Sequence, residues 1–357
     1  MNESTDKTQI RVLTLFSGGL DSILAARVLM NQGLEVLALR FVTPFFDGDV
    51  GDPAAYAAWV RRKYGIAVQV VDLSREYLHM LRAPAHGFGR NFNPCIDCKI
   101  LMLRRARELM AEFGAVCIAT GEVLGQRPMS QRRDTLRIIE KESGCEGLLL
   151  RPLCARHLPA TLVEEQGLVD RERLLGLSGR GRTEQQRLAA GYGIRDYPNP
   201  AGGCLLTDVN LNPRFRRFAP GIFALPDADA QVNSFRLLLV GRHFAPGPDL
   251  WFVLGRKQAD NERIAALRLP GDVLVRTVDR PGPLGLLRCL PVVSEDASPA
   301  EALSETALDA LLAGLILRYA KKVNNEAPPG RVRFEADHEA REECFAPLAE
   351  EEVVAPV

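Results

Sequence analysis

The chain has 357 residues and a mass of 39.3 kDa, and 46% of its residues are hydrophobic and 25% charged. This length predicts about two domains and a sizeable core, and the composition excludes a fibrous or low-complexity chain. Basic and acidic residues number 45 each, yet eight acidic residues and one basic residue lie between Glu335 and Glu352, so the rest is mildly basic. No window is apolar over the roughly 18 residues of a membrane span, and no signal peptide is visible, so we expect a cytoplasmic protein without a membrane partner.

Short apolar runs alternate with helix-period segments through the first half of the chain. The apolar runs predict strands at 11–16, 36–41, 68–72, 116–120 and 148–150. The intervening segments predict helices at 21–31, 54–64, 99–113 and 158–166. This order is typical of an α/β fold with a doubly wound parallel sheet. We therefore expect one such domain over residues 1–220.

The pattern changes in a proline-rich stretch at 213–226. Beyond it, runs separated by Gly and Pro predict strands at 235–240, 250–254, 272–277 and 285–290, and a long helix at 302–322. This mixture predicts a second, smaller α+β domain over residues 230–345. The last residues, 346–357, are expected to form a solvated acidic tail.

The first predicted strand is followed directly by Ser17-Gly18-Gly19-Leu20-Asp21-Ser22, which opens the first helix. Glycines let a backbone approach an anion closely, and the N–H groups of a helix N-terminus point at phosphate, although a plain strand-turn-helix junction could use the same residues. The hexapeptide resembles the PP-loop of ATP pyrophosphatases, which cleave ATP between the α and β phosphates. The resemblance implies that Asp21 helps to place Mg²⁺. It also implies that the pyrophosphate is held by Ser17, Gly18, Gly19, Asp21 and Ser22.

A second motif lies at the carboxyl end of the fourth predicted strand, where ligands bind in open α/β sheets. It runs from Thr120-Gly121-Glu122 through Leu124-Gly125-Gln126 to Ser130-Gln131. The motif resembles a segment of tRNA 4-thiouridine synthases. That resemblance implies contacts with ATP from Phe41, Lys99, Gly121 and Gln131. A solvated lysine at the start of a helix is the alternative interpretation of Lys99.

The spacing of the cysteines is the third signal. In the expected reducing compartment, the eight cysteines favour metal binding or catalysis over disulfides. Cys95 and Cys98 form a CxxC pair before a predicted helix, and Cys204 follows two glycines. A CxxC pair can direct both sulfurs to one ion or cluster. Four thiolates would suggest zinc and two suffice for a disulfide, whereas three leave one cluster iron without a protein ligand.

PP-loop thiolases that carry a CxxC pair and a distant third cysteine are similar to this sequence. The similarity implies a 4Fe-4S cluster whose open iron holds the sulfide to be transferred. Its ligands would be Cys95, Cys98 and Cys204, which with Asp21 are the predicted catalytic residues. A persulfide on Cys204, resolved by Cys95 or Cys98 as in related 2-thiouridylases, is the main alternative, and zinc or simple packing is a third. Asp97 is a candidate acid or base, or a helix cap.

Arginines are frequent near the proposed site. Such groups suit contacts with RNA phosphates, although ordinary solvated arginines would look the same in sequence. The candidates are Arg180, Arg182, Arg187, Arg214, Arg216 and Arg217, the last three flanking Phe215 and Phe218.

Residues 235–334 resemble the RNA-binding domain of NFACT proteins. The resemblance rests on the turn at Gly255-Arg256-Lys257, the nearby Asn261 and the later Pro270-Gly271-Asp272. The segment Asp272-Val273-Leu274-Val275-Arg276 departs from that family's D-x-W-x-H pattern. The resemblance implies that RNA phosphates are contacted by Arg242, Arg256, Lys257, Arg263 and Arg276. Surface charges beside a structural domain are the alternative interpretation of these residues.

These resemblances together imply a tRNA sulfurtransferase that adenylates a uridine carbonyl oxygen and replaces it with sulfur, forming AMP and pyrophosphate. The resemblance to 4-thiouridine synthases favours carbon 4. The implied cofactors are ATP, Mg²⁺ and a 4Fe-4S cluster, and the implied partners are tRNA and sulfide or a separate sulfur donor, with a homodimer as a possible assembly. The alternatives are a persulfide-dependent 2-thiouridylase, a PP-loop ligase or thiolase acting on a small metabolite, and a non-catalytic RNA-binding protein.

Overall fold

The computed structural model of the chain describes residues 10–46, 50–198, 204–292, 303–323, 326–348 and 356–357. Contacts divide the chain into two units, Met1–Thr207 and Asp208–Val357. The division falls before the proline-rich stretch and so precedes residue 220, the predicted end of the first domain. Within the described ranges, no helix has the length and apolarity that crossing a membrane requires.

The first unit is built on a five-stranded parallel sheet with the strand order β3-β2-β1-β4-β5. The strands are β1 (Arg11–Leu15), β2 (Glu35–Val42), β3 (Ala67–Asp72), β4 (Ala115–Thr120) and β5 (Leu149–Leu150). Each lies within one residue of its predicted bounds, and the predicted doubly wound α/β fold is confirmed. The strand order reverses between β1 and β4, so the carboxyl ends of these two strands flank the crevice where such sheets bind ligands.

Helices cover this sheet. They are α1 (Leu20–Met30), α2 (Pro53–Tyr64), α3 (Ser74–Arg82), α4 (Cys95–Phe113), α5 (Arg133–Glu142), α6 (Leu162–Glu165) and α7 (Thr183–Gly191). The predictions for α1 and α2 are confirmed, but α4 begins at Cys95 rather than residue 99, so the CxxC pair lies in its first turn. The predicted helix at 158–166 is wrong for its first part, because only α6 forms there, and α3 and α5 were not predicted.

The sheet has a hydrophobic core on each face because side chains alternate along each strand. Val12 of β1 packs in one core with Ile23 and Leu24 of α1. Its neighbour Leu13 packs in the other core with Leu103 of α4. Burial on both faces explains why the strands read as continuous apolar runs.

The second unit holds a six-stranded antiparallel sheet with the order β11-β10-β8-β9-β7-β6. Its strands are β6 (Arg242–Phe244), β7 (Leu250–Leu254), β8 (Val273–Thr277), β9 (Leu284–Cys289), β10 (Gly330–Glu335) and β11 (Ala340–Phe345). Its helices are α8 (Asn212–Phe223), α9 (Ala228–Leu238), α10 (Gln258–Ala266) and α11 (Glu305–Tyr319). The predicted α+β character is confirmed, as are β7, β8, β9 and, in shorter form, α11.

The proline-rich stretch, where the sequence pattern changes, forms α8, with one proline in its first turn. The strand predicted at 235–240 is wrong, because most of that run is the end of α9. Phe235, Leu237 and Leu238 are all buried, so this helix shows the same apolar run as a buried strand would. The strands β6, β10 and β11 were not predicted.

The predicted acidic tail is only partly within the described residues, because residues 349–355 lie outside them. Leu348 packs against the core and donates its backbone N–H to the Gly314 carbonyl at 3.4 Å. The N–H of Val357 donates to the His243 carbonyl at 2.9 Å. Leu348 and Val357 therefore contact other residues of the second unit, and the solvated tail stays a prediction.

Candidate active site

The turn between β1 and α1 is held by its own hydroxyl groups. Ser17 Oγ accepts the N–H of Gly19 at 3.3 Å, and Ser22 Oγ donates to the carbonyl of Gly19 at 2.8 Å. Gly18 has a φ of +74°, a conformation that favours glycine. No side chain of the described residues caps the N-terminus of α1, so its N–H groups can serve an anion.

Gly121, the first residue after β4, lies against the start of α1. A Cβ atom at this position would lie 2.5 Å from the carbonyl oxygen of Asp21 and 2.7 Å from the backbone nitrogen of Ser22. Both atoms belong to the backbone, so no side-chain movement would relieve the clash. The two sequence motifs are therefore in direct contact, and a glycine is required where they meet.

The Asp21 carboxylate is held on one side only. Gln126 Nε2 donates to its Oδ2 at 2.7 Å, and an Arg182 guanidinium nitrogen lies 3.6 Å from the same oxygen. Its Oδ1 is buried and has no hydrogen-bond partner among the described residues. An orphaned carboxylate oxygen beside an anion-binding turn is the kind of ligand that Mg²⁺ takes, so Asp21 fits its predicted role.

The other predicted nucleotide contacts differ in their accessibility. The Phe41 side chain is 4% exposed and packs in the core beside Leu13, so a contact with a nucleotide would have to come from its backbone. Gln131 is also buried, but its Oε1 lacks a partner within the described ranges. Its backbone carbonyl accepts the N–H of Gly125 at 2.8 Å, which closes the loop after β4.

Lys99 links the nucleotide side of the site to the cysteine side. Its Nζ lies 3.8 Å from Glu122 Oε1, and the buried Glu122 also accepts from Arg151 Nε at 3.2 Å. Burial raises the pKa of the Glu122 carboxyl, but the charges of Lys99 and Arg151 outweigh it, so that the pKa is lowered and the group is ionised. The solvated lysine expected as the alternative is therefore not what the structure shows.

The three predicted cysteines lie around Tyr77 of α3. Burial raises the pKa of the Tyr77 hydroxyl, and the sulfurs of Cys98, Cys204 and Cys95 raise it further. Burial also raises the pKa of Cys98 to about 12; Lys99 opposes this, while Cys204 and Cys95 add to it. The CxxC pair and the distant third cysteine therefore lie in the same region of the first unit.

The three thiols are near one another without being arranged as metal ligands. Within the described residues, no group of three or more His, Cys, Asp or Glu side chains could hold a metal ion as placed. Cys204 directly follows residues 199–203, which lie outside the described part of the chain. As a donor set, three thiolates fit a cluster that leaves one iron without a protein ligand.

The polar residues beside the cysteines form hydrogen bonds within the protein. The buried Asp97 carboxylate accepts the backbone N–H groups of Ala85 at 3.0 Å and His86 at 3.1 Å, so it fixes the loop before α4. Asn93 Nδ2 donates to Cys95 Sγ at 3.2 Å. The buried Cys154 donates to the Glu122 carbonyl at 3.3 Å.

The basic residues predicted to contact RNA in the second unit differ in their surroundings. Arg256, Lys257 and Arg263 are exposed at the start of α10 and along it. Arg242 instead lies over the Tyr319 ring at 4.4 Å, and Arg276 pairs with Glu335 at 3.6 Å. The aromatic residues Phe215 and Phe218 are buried and belong to the interior of this unit.

Several contributors to the site escaped sequence reasoning. Gln126 lay inside a quoted motif without a role, and Gln185 and Tyr77 gave no signal at all. Gln185 Nε2 donates to Gln126 Oε1 at 3.1 Å, and both side chains are buried. Gln126 and Gln185 are separated by 59 positions, and Asp21 and Gln126 by 105, so only the fold reveals the connection.

Part of this chain is similar in sequence to known proteins. Residues 7–157 match the family model described as thiamine biosynthesis protein (ThiI). A probable tRNA sulfurtransferase of Thermococcus kodakarensis is 28% identical over 41% of this chain and 37% of its own length. A tRNA-specific 2-thiouridylase MnmA of Nitratidesulfovibrio vulgaris is 33% identical over 33% of this chain and 36% of its own length.

The first unit therefore combines a parallel α/β fold with a loop that resembles a PP-loop. By its family match and its relatives, part of the chain is similar to proteins of the tRNA-thiolation group. It spans about a third of the length of the curated relatives that it matches. The family match ends at residue 157 and does not extend into the second unit.

Solved structures give more distant likenesses. A 4-thiouridine synthetase in complex with RNA and ATP has 20% identity and a TM-score of 0.33, over 52% of this chain and 51% of its own. The C-terminal part of a fibronectin/fibrinogen-binding protein from Streptococcus suis has 11% identity and a TM-score of 0.23, over 72% of this chain and 96% of its own. Scores at this level carry no functional argument, and the NFACT resemblance stays a prediction.

Proposed function

We propose that this protein is an ATP-dependent tRNA sulfurtransferase that replaces a uridine carbonyl oxygen with sulfur, most simply at carbon 4. One observation carries the proposal: the nucleotide and cysteine parts of the site are continuous. Gly121 contacts the backbone of Asp21, and the next residue, Glu122, pairs with Lys99, which follows Cys98 in α4. An activated uracil at the PP-loop would therefore lie beside the cysteines.

The PP-loop residues would act on the departing pyrophosphate. The N–H groups at the start of α1, with Ser17 and Ser22, would bind it as charge develops on it, and Asp21 Oδ1 would hold Mg²⁺. AMP is thereby joined to the uracil oxygen. This step is needed because a uracil oxygen is a poor leaving group, whereas AMP carrying that oxygen leaves readily.

The cysteines would act in the second step. A sulfur nucleophile held at Cys95, Cys98 and Cys204 attacks the activated carbon, the C–O bond breaks, and AMP departs with the oxygen. A 4Fe-4S cluster on these residues would supply an iron without a protein ligand at which sulfide can be held. Sulfide, or a separate donor of sulfur, and tRNA are the proposed partners, and the cytoplasm is the proposed location.

A second candidate is a persulfide mechanism, which the arrangement of the thiols also supports because they lie together without forming a metal-ligand group. In it, the terminal sulfur of a persulfide on Cys204 attacks the activated carbon and AMP leaves. The thiolate of Cys95 or Cys98 then attacks Cys204 Sγ, which releases the thiolated uridine and leaves a disulfide. An external thiol would have to reduce that disulfide before the next turnover.

Metal content separates the two candidates. We expect about four irons and matching acid-labile sulfide per chain after anaerobic purification, lost in Cys95→Ala, Cys98→Ala and Cys204→Ala. Cys344→Ala is the matched control, because Cys344 is exposed in β11 of the second unit. Zinc, or no metal in the parent protein, would contradict the cluster mechanism and favour the persulfide.

The nucleotide half is tested by the products formed from ATP. We expect AMP and pyrophosphate in the presence of tRNA, and loss of both with Asp21→Ala. Formation of ADP and phosphate would contradict a PP-loop mechanism. Turnover on a small acceptor without any binding of tRNA would instead indicate a ligase or thiolase acting on a metabolite.

A further inference from the structure

Asp21 stands at the end of a chain of two buried glutamine side chains. Gln126 Nε2 donates to Asp21 Oδ2 at 2.7 Å, and Gln185 Nε2 donates to Gln126 Oε1 at 3.1 Å. Gln126 is 9% exposed and Gln185 2% exposed, so both amides are shielded from water. A buried polar side chain needs its partners, and here the partners are one another.

The carboxylate fixes the direction of the whole chain. Ionised Asp21 can only accept hydrogen bonds, so Gln126 must present its NH₂ group to it. The carbonyl oxygen of Gln126 then faces Gln185, which must donate in turn. If either side-chain amide flipped, its oxygen would face another acceptor oxygen. The two hydrogen bonds therefore have a single consistent direction.

The backbone holds the two glutamines in place. Leu124, in the loop that carries Gln126, forms a bridge with Ser178, and the Gly179 N–H donates to the Leu124 carbonyl at 2.8 Å. Gly179 lies four positions before Thr183, where α7 begins, and the first turn of α7 carries Gln185. The loop after β4 and the start of α7 are thus joined by backbone hydrogen bonds as well as by the amides.

Holding Oδ2 leaves the other oxygen of Asp21 unused. Oδ1 is buried and lacks a hydrogen-bond partner among the described residues. A carboxylate with one oxygen tied down and the other orphaned is oriented before any ligand arrives, and groups that orient a metal-binding carboxylate in this way strongly affect metal affinity. Arg182, 3.6 Å from Oδ2, balances part of the charge from the same side.

We infer that Gln126 and Gln185 are positioning residues that hold the Asp21 carboxylate so that Oδ1 binds the divalent cation of the metal-nucleotide complex. Gln126 acts directly on Asp21, and Gln185 acts only through Gln126. The inference rests on the proposed use of ATP at the PP-loop. It assigns roles to two residues for which the sequence predicts no contact with the nucleotide or the cysteines.

The test measures cation-dependent nucleotide binding rather than turnover. The probe is α,β-methylene ATP, which cannot be cleaved between the α and β phosphates, titrated in Mn²⁺ and again in EDTA. The ratio of the two affinities reports the contribution of the cation. We expect Gln126→Leu to lower this ratio about 10- to 100-fold and Gln185→Leu to lower it about 2- to 10-fold, with the affinity in EDTA unchanged.

The double variant gives a second readout. Because Gln185 acts through Gln126, Gln126→Leu/Gln185→Leu should show the ratio of Gln126→Leu alone rather than the product of the two effects. The matched control is Gln186→Leu, the exposed neighbour on α7, which should behave as the parent protein. Melting temperatures of all variants establish that they fold.

Two results would overturn the inference and leave the proposed function intact. One is that Gln126→Leu shows the same ratio of affinities in Mn²⁺ and in EDTA as the parent protein. The other is that Gln126→Leu loses affinity equally in Mn²⁺ and in EDTA, which would indicate general damage to the loop. A parent protein that binds no analogue under either condition would overturn the proposed function together with the inference.

Discussion

Gly121 and Asp21, which are separated by 100 positions, are packed so closely that a Cβ atom on Gly121 would lie 2.5 Å from the Asp21 carbonyl oxygen. This contact joins the carboxyl end of β4 to the first turn of α1. Because both sides of the contact are backbone, it fixes the position of the PP-loop relative to the segment that follows β4.

Gly121→Ala should displace the PP-loop. Overpacking at a backbone contact typically destabilises a protein by about 1–3 kcal/mol, and we expect that loss in chemical denaturation together with a strong loss of ATP binding. Gly191→Ala is the matched control, since nothing lies within 4 Å of a Cβ atom there. Parent-like binding of ATP by Gly121→Ala would show that the loop tolerates the shift.

Much of the first unit could be predicted because its buried strands are apolar runs between turn residues. The second unit was harder for physical reasons. The run at Phe235, Leu237 and Leu238 is short and continuously apolar, a pattern that buried helices and buried strands share. The strand β11 was missed because it is largely exposed and rich in glutamate, so it carries no apolar signal.

Some residues of the site could likewise be predicted from the sequence, and others could not. Motif residues such as Asp21, Gly121 and the CxxC pair were found because their local spacing has a chemical meaning. Gln185 was not found, because a buried glutamine on an ordinary helix has no such spacing. The contact of Phe41 with ATP, which the resemblance implies, stays a prediction for its backbone, because its side chain lies in the core.

Arg151→Met should strongly destabilise the first unit. Arg151 and Glu122 form a buried ion pair at 3.2 Å, and removal of Arg151 leaves the buried carboxylate with the more distant Lys99, 3.8 Å away, which costs up to about 3–5 kcal/mol. The pKa of the Glu122 carboxyl is lowered in the folded protein. The stabilisation that ionised Glu122 provides is therefore fully present above the pKa of this group in the unfolded chain, and it is lost as the pH falls through the pKa in the folded protein. Chemical denaturation of the parent protein and of Glu122→Gln at pH 7 and at acid pH checks this expectation. The same difference in the free energy of unfolding at both pH values would contradict it.

Cys98 should be slow to react in protein freed of metal. Burial raises its pKa to about 12, although Lys99 opposes the shift, so at pH 8 the group is a thiol rather than the nucleophilic thiolate. We expect its alkylation, followed by mass spectrometry, to be much slower than that of the exposed Cys344 and to accelerate with rising pH. Lys99→Met should slow it further. Alkylation of Cys98 as fast as that of Cys344 at pH 8 would contradict the raised pKa of Cys98.

In the second unit, the ion pair between Asp272 and Arg288 should matter more than any exposed pair. Arg288 donates to both carboxylate oxygens, at 3.0 and 2.6 Å, and both side chains are buried. Asp272→Ala should therefore cost about 3–5 kcal/mol in the unfolding of this unit. The exposed pair of Arg276 and Glu335 provides the control, because Arg276→Gln should cost at most about 1 kcal/mol. Equal effects of the two substitutions would contradict this ranking.

The most direct test of the account is thiolation of tRNA. Unmodified tRNA would be incubated anaerobically with the purified protein, ATP, Mg²⁺ and sulfide, then digested to nucleosides and analysed by mass spectrometry. The account predicts a uridine in which one oxygen is replaced by sulfur, formed with AMP and pyrophosphate, and absent with Asp21→Ala or Cys204→Ala. Hydrolysis of ATP to AMP and pyrophosphate without any sulfur in the tRNA, under conditions where the protein binds that tRNA, would contradict it.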